Sequence, residues 1–207
     1  MKDYNETQIK LLNSAKQEFL EKGYKDSSLR NICKNAGVTT GALYFFFKDK
    51  EDLFASLVEE PLNKLYEVML CHYEEESRLI NDQSIGIQDQ EEDVTAAYGV
   101  IHLLYKYYDE FQLILTKSKG SKFENCTENF VAITEKHYRI LADRMSSHLN
   151  APKVDEYMIH WISHVQVHTF AHMITHESLE DSAIKHMGGI IKYLIDGWHG
   201  MFIPLEK

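Results

Sequence analysis

Residues 27–54, SSLRNICKNAGVTTGALYFFFKDKEDLF, decide the fold of this chain. The pattern predicts a short helix over 28–36, a tight turn at 37–38 and a second short helix over 40–46. Gly37 suits the left-handed backbone conformation that such a turn requires. Apolar residues at helical spacing would hold the two helices together above the preceding helix, as in a helix-turn-helix. These apolar residues are Leu29, Ile32, Ala36, Val38 and Leu43.

The second short helix is predicted to present a face that can approach a nucleic acid. Its exposed residues would be Thr39, Thr40, Gly41, Tyr44 and Phe45. Short polar side chains and a glycine permit close approach to a groove. The Tyr44 hydroxyl can donate to a phosphate, and helix amino-termini attract phosphate as well. The pattern therefore favours binding to double-stranded DNA.

On either side of this stretch, every segment with a clear hydrophobic periodicity is predicted to be a helix. Only 10 Gly and 3 Pro occur in 207 residues, which is too few for the turns of an all-β protein. Asp49 would cap a long helix that runs to about residue 80, with a kink or break at Pro61. A polar loop is predicted at 81–93. The other predicted helices span 5–23, 94–107, 110–117, 122–148, 153–176 and 179–200. The fold class predicted is all-α.

The charges are distributed unevenly along the chain. The formal net charge is −10, yet residues 1–53 carry nine Lys or Arg and eight Asp or Glu. An acidic body should avoid nucleic acid, whereas the near-neutral head need not. No signal peptide or membrane-spanning run is apparent, and three distant cysteines indicate no disulfide framework. We therefore expect a cytoplasmic protein with no membrane partner.

Four sequence motifs in the head resemble the DNA-binding domain of the TetR family of bacterial transcriptional regulators. They are G-Y at 23–24, I-C-K-N-A-G-V at 32–38, G-A-L-Y at 41–44 and F-K-D-K-E-D-L-F at 47–54. The resemblance implies a three-helix DNA-binding domain at 1–48. It also implies a larger helical domain at 49–207 that binds an effector and forms a homodimer.

The resemblance also implies which residues meet DNA. Those that match Thr39, Thr40 and Tyr44 contact DNA in the family. Those that match Ser28 and Lys50 touch phosphates, and Arg30 can reach bases or backbone. With the two further exposed residues, the predicted DNA-binding set is Ser28, Arg30, Thr39, Thr40, Gly41, Tyr44, Phe45 and Lys50.

The head departs from the family pattern at three positions. Phe45 and Phe46 stand where a polar aromatic residue or His is usual, and Thr40 stands where a basic residue is common. With a head of net charge +1, phosphate affinity per subunit should be modest and its salt dependence shallow. Binding of two subunits to two half-sites must then supply the remaining affinity.

Residues 157–176 contain no Asp, Glu, Lys or Arg. Twenty uncharged residues in an acidic chain predict a helix that is buried on most sides. A stripe of small residues on it would permit close contact with another helix. The resemblance implies that this helix and the helix at 179–200 form the dimer interface.

One stripe of the same helix is a ladder of five histidines. An i,i+4 His pair can chelate Zn²⁺, Ni²⁺ or Cu²⁺. Three interpretations stay open: neutral structural or pocket-lining side chains, ligands of a metal or haem, and a pH-sensitive interface. No other cofactor is expected. The ladder consists of His160, His164, His168, His172 and His176.

Aromatic residues of the body are candidates for an effector cavity, although core packing is the preferred explanation for each of them. Aromatic walls beside acidic residues would suit a small apolar or aromatic compound. The candidate set is Tyr105, Tyr108, Phe111, Phe130, Trp161, His164 and His168.

The function predicted is that of a ligand-responsive regulator, a repressor that its effector releases from a palindromic DNA operator. The alternatives are a metal- or haem-sensing regulator that uses the ladder, a small helical metal-dependent enzyme, and an interaction module that has lost DNA binding. No catalytic residues are predicted, because the chain lacks an HExxH motif and the ladder contains no carboxylate base.

Overall fold

A computed structural model describes residues 2–81 and 89–203, and throughout these ranges it contains helices and turns but no β-strand. The predicted all-α fold is confirmed. None of the described helices is long and apolar enough to cross a membrane. The helices are α1 (Lys2–Asp26), α2 (Leu29–Ala36), α3 (Thr40–Phe46), α4 (Lys50–Asn81), α5 (Asp89–Lys106), α6 (Tyr108–Gln112), α7 (Cys126–Leu149), α8 (Glu156–His176) and α9 (Glu180–Gly200).

Local capping signals explain most helix ends in the first half of the chain. Gly23 leaves the helical conformation with φ 76° and ψ 166°, in agreement with its predicted place at the end of the first helix, although a last turn follows to Asp26. The Asp49 carboxylate accepts a hydrogen bond from the Asp52 N–H at 2.8 Å, as expected of a helix cap. The predicted break at Pro61 is wrong, since α4 continues through it.

Several helix ends in the second half differ from the prediction. Of the predicted polar loop at 81–93, Asn81 ends α4, α5 already begins at Asp89, and residues 82–88 lie outside the described residues. Helix α8 begins later than predicted because Asp155 is its cap and accepts the Met158 N–H at 2.9 Å. The predicted helix at 110–117 is the short α6 followed by a π-helical turn, Leu113–Lys117.

The chain divides into two compact units. The first consists of Met1–Lys64 and Tyr107–Cys126, and the second of Leu65–Lys106 and Thr127–Lys207. Helix α4 contributes residues to both. Compactness thus groups 107–126 with the N-terminal helices. The predicted boundary between residues 48 and 49 separates a DNA-binding part from an effector-binding part, which is a division by function. The compact units do not test it, and it stays a prediction.

Aromatic rings from distant segments build the core of the first unit. The Phe54 ring of α4 lies edge-on to the Phe19 ring of α1, with centroids 5.0 Å apart. It also lies 5.8 Å from the Phe123 ring. Ile32 of α2 and Leu43 of α3 are fully buried. Burial of each such side chain contributes about 1.5–3 kcal/mol, so this core holds the two short helices against α1.

A buried carboxylate fixes the amino end of α2. Glu18 of α1 is 3% exposed, and its Oε1 accepts hydrogen bonds from the Lys22 ammonium at 3.0 Å, the Ser28 N–H at 3.2 Å and the Asn31 side-chain amide at 3.4 Å. Ser28 occupies the N-cap position of α2, but its side chain makes no capping hydrogen bond, and the Ser27 hydroxyl donates to the Tyr24 carbonyl instead. Burial raises the pKa of Glu18, but these hydrogen bonds outweigh burial and hold the pKa below its ordinary value.

A hydrophobic cluster of the second unit lies where α7, α8 and the segment after α9 meet. Leu141, Ala142 and Met145 of α7 pack with Ile159 of α8 and with Phe202. A polar cluster also lies in this unit, where the Tyr73 ring stacks on the buried His137 ring with centroids 3.9 Å apart and Glu76 Oε2 lies 2.5 Å from His137 Nε2.

Helix α8 is less buried than its composition predicts. One face is buried, through Ile159, Ile162, Ser163, Met173 and Ile174. The opposite face exposes Tyr157, Trp161 and most of the histidines. The prediction of a helix buried on most sides is therefore wrong for the single chain, because histidine and aromatic side chains occupy its exposed face.

The Glu18 contacts predict an acid-sensitive first unit. A carboxyl whose pKa is lower in the folded chain stabilises it above the unfolded pKa of about 4.3, and this stability is lost as the pH falls through the folded pKa. Glu18→Gln should lower the free energy of unfolding at pH 7 by about 1–3 kcal/mol. It should also flatten the loss of stability between about pH 5 and pH 3.

Urea unfolding followed by circular dichroism at several pH values measures both effects. The matched control is Glu21→Gln, which alters an exposed carboxylate on the same helix and should keep the wild-type pH dependence. Parallel pH profiles for wild type and Glu18→Gln would contradict the assigned role of Glu18.

Candidate nucleic-acid interface

The turn between α2 and α3 has the geometry that its glycine predicts. Gly37 adopts φ 68° and ψ 29°, in the left-handed region. Its N–H donates to the Lys34 carbonyl at 3.2 Å, and the Val38 N–H donates to the Cys33 carbonyl at 3.0 Å. This pair of hydrogen bonds is the Schellman motif, which satisfies the last carbonyls of α2. It also sets where the chain leaves α2 and so where α3 begins.

Helix α3 is capped at its start and buried along one side. The Thr39 hydroxyl accepts a hydrogen bond from the Ala42 N–H at 3.2 Å, as is typical of a threonine at a helix start. Leu43 is fully buried below α3, and Ile32 is fully buried below α2. The Ser14 hydroxyl of α1 donates to the Ile32 carbonyl at 2.8 Å. The buried side of α3 is thus fixed, and the opposite side is turned to solvent.

The exposed face of α3 carries the residues that the sequence predicts there. Tyr44 and Phe45 are 59% and 69% exposed, although both are large aromatic residues. Thr39, Thr40 and Gly41 are exposed as well. A Cβ atom at Gly41 would lie 3.8 Å from Thr39 Oγ1, an ordinary contact. The fold therefore does not require glycine at 41, and the missing side chain matters only to a molecule that approaches this face.

The sequence around α3 carries more positive charge than the head as a whole, so it is more favourable to an anion. No Asp or Glu occurs between Asp26 and Asp49, whereas Arg30, Lys34 and Lys48 do. All three of these cations are exposed. Lys34 and Lys48 are absent from the predicted DNA-binding set, and the acid-free span of sequence is the signal that could have found them. Three cations beside α3 make the local surface basic.

The Lys50 ammonium is already bound to backbone carbonyls, unlike a lysine whose side chain is free to bind phosphate. The ammonium donates to the carbonyls of Tyr24 at 2.6 Å, Lys25 at 3.2 Å and Ser27 at 3.2 Å. Burial lowers the pKa of Lys50, and Asp26 opposes that shift. In the chain alone, Lys50 therefore closes the carboxyl end of α1. Its contact with phosphate stays a prediction, as do those of the half-buried Ser28 and the exposed Arg30.

The predicted effector residues are divided between the two units. Tyr108 and the buried Phe111 belong to the first unit, and the others belong to the second. In the second unit, the Tyr105 hydroxyl donates to the Glu177 carbonyl at 2.7 Å, and Phe130 stacks on Tyr66 with centroids 4.6 Å apart. Trp161 is exposed. The set is thus shared between two units, and an effector role for each residue stays a prediction.

The histidine ladder acquires acidic neighbours from α7. The His160 Nδ1 atom lies 2.9 Å from Glu135 Oε2. One level further along α8, ligand atoms of His164, His168 and Glu128 lie within 4.8 Å of one another. At the far end, the rings of His172 and His176 stack with centroids 4.0 Å apart. These acidic partners lie too far away in sequence for the helical pattern to reveal.

Comparisons with known proteins place the first helices in a family. Residues 11–57 match the sequence profile described as bacterial regulatory proteins, tetR family. The chain is 45% identical over 65 residues to the HTH-type transcriptional repressor BepR of Brucella suis biovar 1 (strain 1330), which is 31% of each chain. It is 35% identical over 69 residues to the fatty acid metabolism regulator protein of Bacillus subtilis (strain 168), which is 33% of this chain and 36% of the relative.

The sequence matches therefore span about a third of these relatives' length. The fold of the whole chain resembles NalD, described as the secondary repressor of the MexAB-OprM multidrug efflux pump in Pseudomonas aeruginosa. The TM-score is 0.60 at 18% identity, over 100% of both chains. Residues 11–57 thus match the TetR family of bacterial regulatory proteins, as the motifs of the head predict.

Proposed function

We propose that the chain is a transcriptional repressor that binds a palindromic DNA operator as a homodimer and leaves it when a small apolar or aromatic effector binds. The observation that carries the proposal is the exposed face of α3. Tyr44 and Phe45 are exposed although both are large aromatic residues, and short residues beside them leave room for a groove. The adjoining cations supply attraction for phosphates.

The relatives support a regulatory role rather than an enzymatic one. BepR is named a transcriptional repressor, and NalD is described as a repressor of an efflux pump. A similar role for this chain fits the shared head, which no enzymatic reading of the body explains. DNA occurs in the cytoplasm of a bacterial cell, so the proposal includes that location.

Exposed apolar side chains on α8 and α9 support the homodimer. Two consecutive helices expose Tyr157, Trp161, Ile184, Ile190 and Tyr193. Large apolar side chains that remain exposed in one chain favour a partner that covers them. A second copy is the simplest partner because helix-turn-helix proteins read two half-sites.

The second unit supplies suitable chemistry for an effector. Stacked rings such as Tyr66 on Phe130 favour flat apolar compounds, and Glu76 beside His137 offers a polar contact. Release from DNA would follow if the effector binds more tightly to a dimer whose two heads do not match the half-sites. Helix α4 is the covalent link for such a shift, since it contributes residues to both units.

Gel-shift titration of the wild-type protein with DNA from the region of its own gene tests the interface. Tyr44→Ala should weaken binding by about 1–3 kcal/mol, and Thr40→Ala should change sequence preference more than overall affinity. Leu70→Ala removes an exposed apolar side chain from α4 outside the head and should bind as wild type does. Equal affinity of all four proteins would contradict the docking face, and no shift by the wild type would contradict DNA binding.

Light scattering after size exclusion tests the dimer. Ile190→Arg should yield a folded monomer, because a charge buried without a partner in an interface is costly. The matched control is Ile140→Arg on α7, since Ile140 is 41% exposed and Ile190 is 40% exposed. The control should stay dimeric. A dimeric Ile190→Arg protein would show that the two copies meet elsewhere.

A further inference from the structure

We infer that Glu128, His164 and His168 form a binding site for a divalent transition-metal ion of the Zn²⁺ class. One ligand atom from each of these side chains lies within 4.8 Å of the other two. Glu128 belongs to the first turn of α7, and the two histidines belong to the middle of α8. The site stands whether or not the chain binds DNA, because all three residues lie in the second unit.

Helix geometry explains why the three side chains meet. His164 and His168 are four residues apart, so their side chains lie on the same face, about 6 Å apart along the axis. Their rings are parallel within 8°, with centroids 5.7 Å apart. Two imidazoles on one helical face are the usual start of a metal site on a helix.

A second contact between the same helices fixes their register independently. Glu135 lies seven residues after Glu128, so both carboxylates project from one face of α7, about 10.5 Å apart along the axis. Glu135 Oε2 contacts His160 Nδ1 at 2.9 Å, one turn before His164. The carboxylates of α7 thus face the ladder at two levels, and the level of Glu128 meets two histidines.

Among the described residues, no third ligand converges on the other levels of the ladder. Glu135 meets His160 in a simple pair, with a distance typical of an ion pair. His176 Nδ1 lies 2.9 Å from the His172 carbonyl and 3.0 Å from the Thr175 hydroxyl, so its own helix engages that nitrogen. Throughout the part of the chain that the structure describes, Glu128, His164 and His168 are the one group of three converging ligands.

The donor set selects the kind of ion. Two imidazole nitrogens and one carboxylate oxygen suit Zn²⁺, Co²⁺, Ni²⁺ or Cu²⁺, whereas Mg²⁺ and Ca²⁺ prefer oxygen ligands throughout. Zn²⁺ with ligands at about 2.0–2.2 Å needs ligand atoms about 3.4 Å apart. Glu128 and His168 are exposed and His164 is half-buried. Small side-chain rotations can therefore close the site at no cost to the core, with a fourth position left to water.

Bound metal would join α7 to α8. A ligand that binds only the folded chain stabilises it. Zn²⁺ should therefore raise the melting temperature of the wild-type protein. It should have no such effect on His168→Gln, which lacks one ligand but keeps every buried contact.

Titration calorimetry of the tag-free, chelator-treated full chain with ZnCl₂ tests the site. One ion should bind per chain, and MgCl₂ should give no saturable heat. Glu128→Gln and His168→Gln should each weaken Zn²⁺ binding by about 10–100-fold or more, since loss of an outer-shell partner alone costs that much. The control His172→Gln removes a histidine of the same ladder outside the site and should bind Zn²⁺ as wild type does.

Three results would overturn the assignment. The first is no saturable binding of Zn²⁺ by the wild-type chain. The second is unchanged affinity in Glu128→Gln, or equal losses in His172→Gln and His168→Gln, because the ladder alone would then hold the ion. The third is one ion per two chains, which would place the site between copies. Circular dichroism of each variant verifies that the altered affinity does not come from lost helix.

Discussion

The first unit depends on one buried carboxylate. Glu18 of α1 binds the Ser28 N–H at the amino end of α2, where the helix dipole favours a negative charge. Without that contact the carboxylate would remain buried with fewer partners, which costs more than the contact itself contributes. Because α2 leads through the Gly37 turn into α3, the direction of the exposed face of α3 depends on the same anchor.

Lys50 plays the complementary part at the carboxyl end of α1. Its ammonium binds three carbonyls at the carboxyl end of that helix, where a positive charge is favoured. Glu18 and Lys50, two charged side chains of the head, thus each bind backbone groups at a helix terminus. The exposed cations Arg30, Lys34 and Lys48 lie on an acid-free stretch of sequence, and under the proposed function they remain available to the phosphates of DNA.

The sequence predicts those parts of the fold that local chemistry determines. The turn follows from a glycine that can adopt positive φ, and the start of α3 follows from the threonine that caps it. Glu18 and Lys50 could not be assigned in this way, because they act on backbone groups 10 to 26 residues away. Such contacts depend on how α1 packs against its neighbours, and the periodicity of the sequence does not predict that packing.

The same limit explains why the body was predicted less well than the head. A helix without charges can be buried, or it can expose histidines and aromatic residues, and α8 does both on opposite faces. The pattern showed the ladder but not its acidic neighbour Glu128, which lies 36 residues before His164 on another helix. Aromatic composition likewise gave effector candidates without revealing that they belong to two units.

Selection of sequences bound by the full chain from a random pool of duplex DNA tests the central claim most directly. If two copies each present α3 to a major groove, the recovered sequences should share an inverted repeat. Its half-sites should be centred about one helical turn, or a multiple of it, apart. Two chains, or a multiple of two, should bind each such duplex. Recovery of no common sequence, or of a single unrepeated site bound by one chain, would contradict the account.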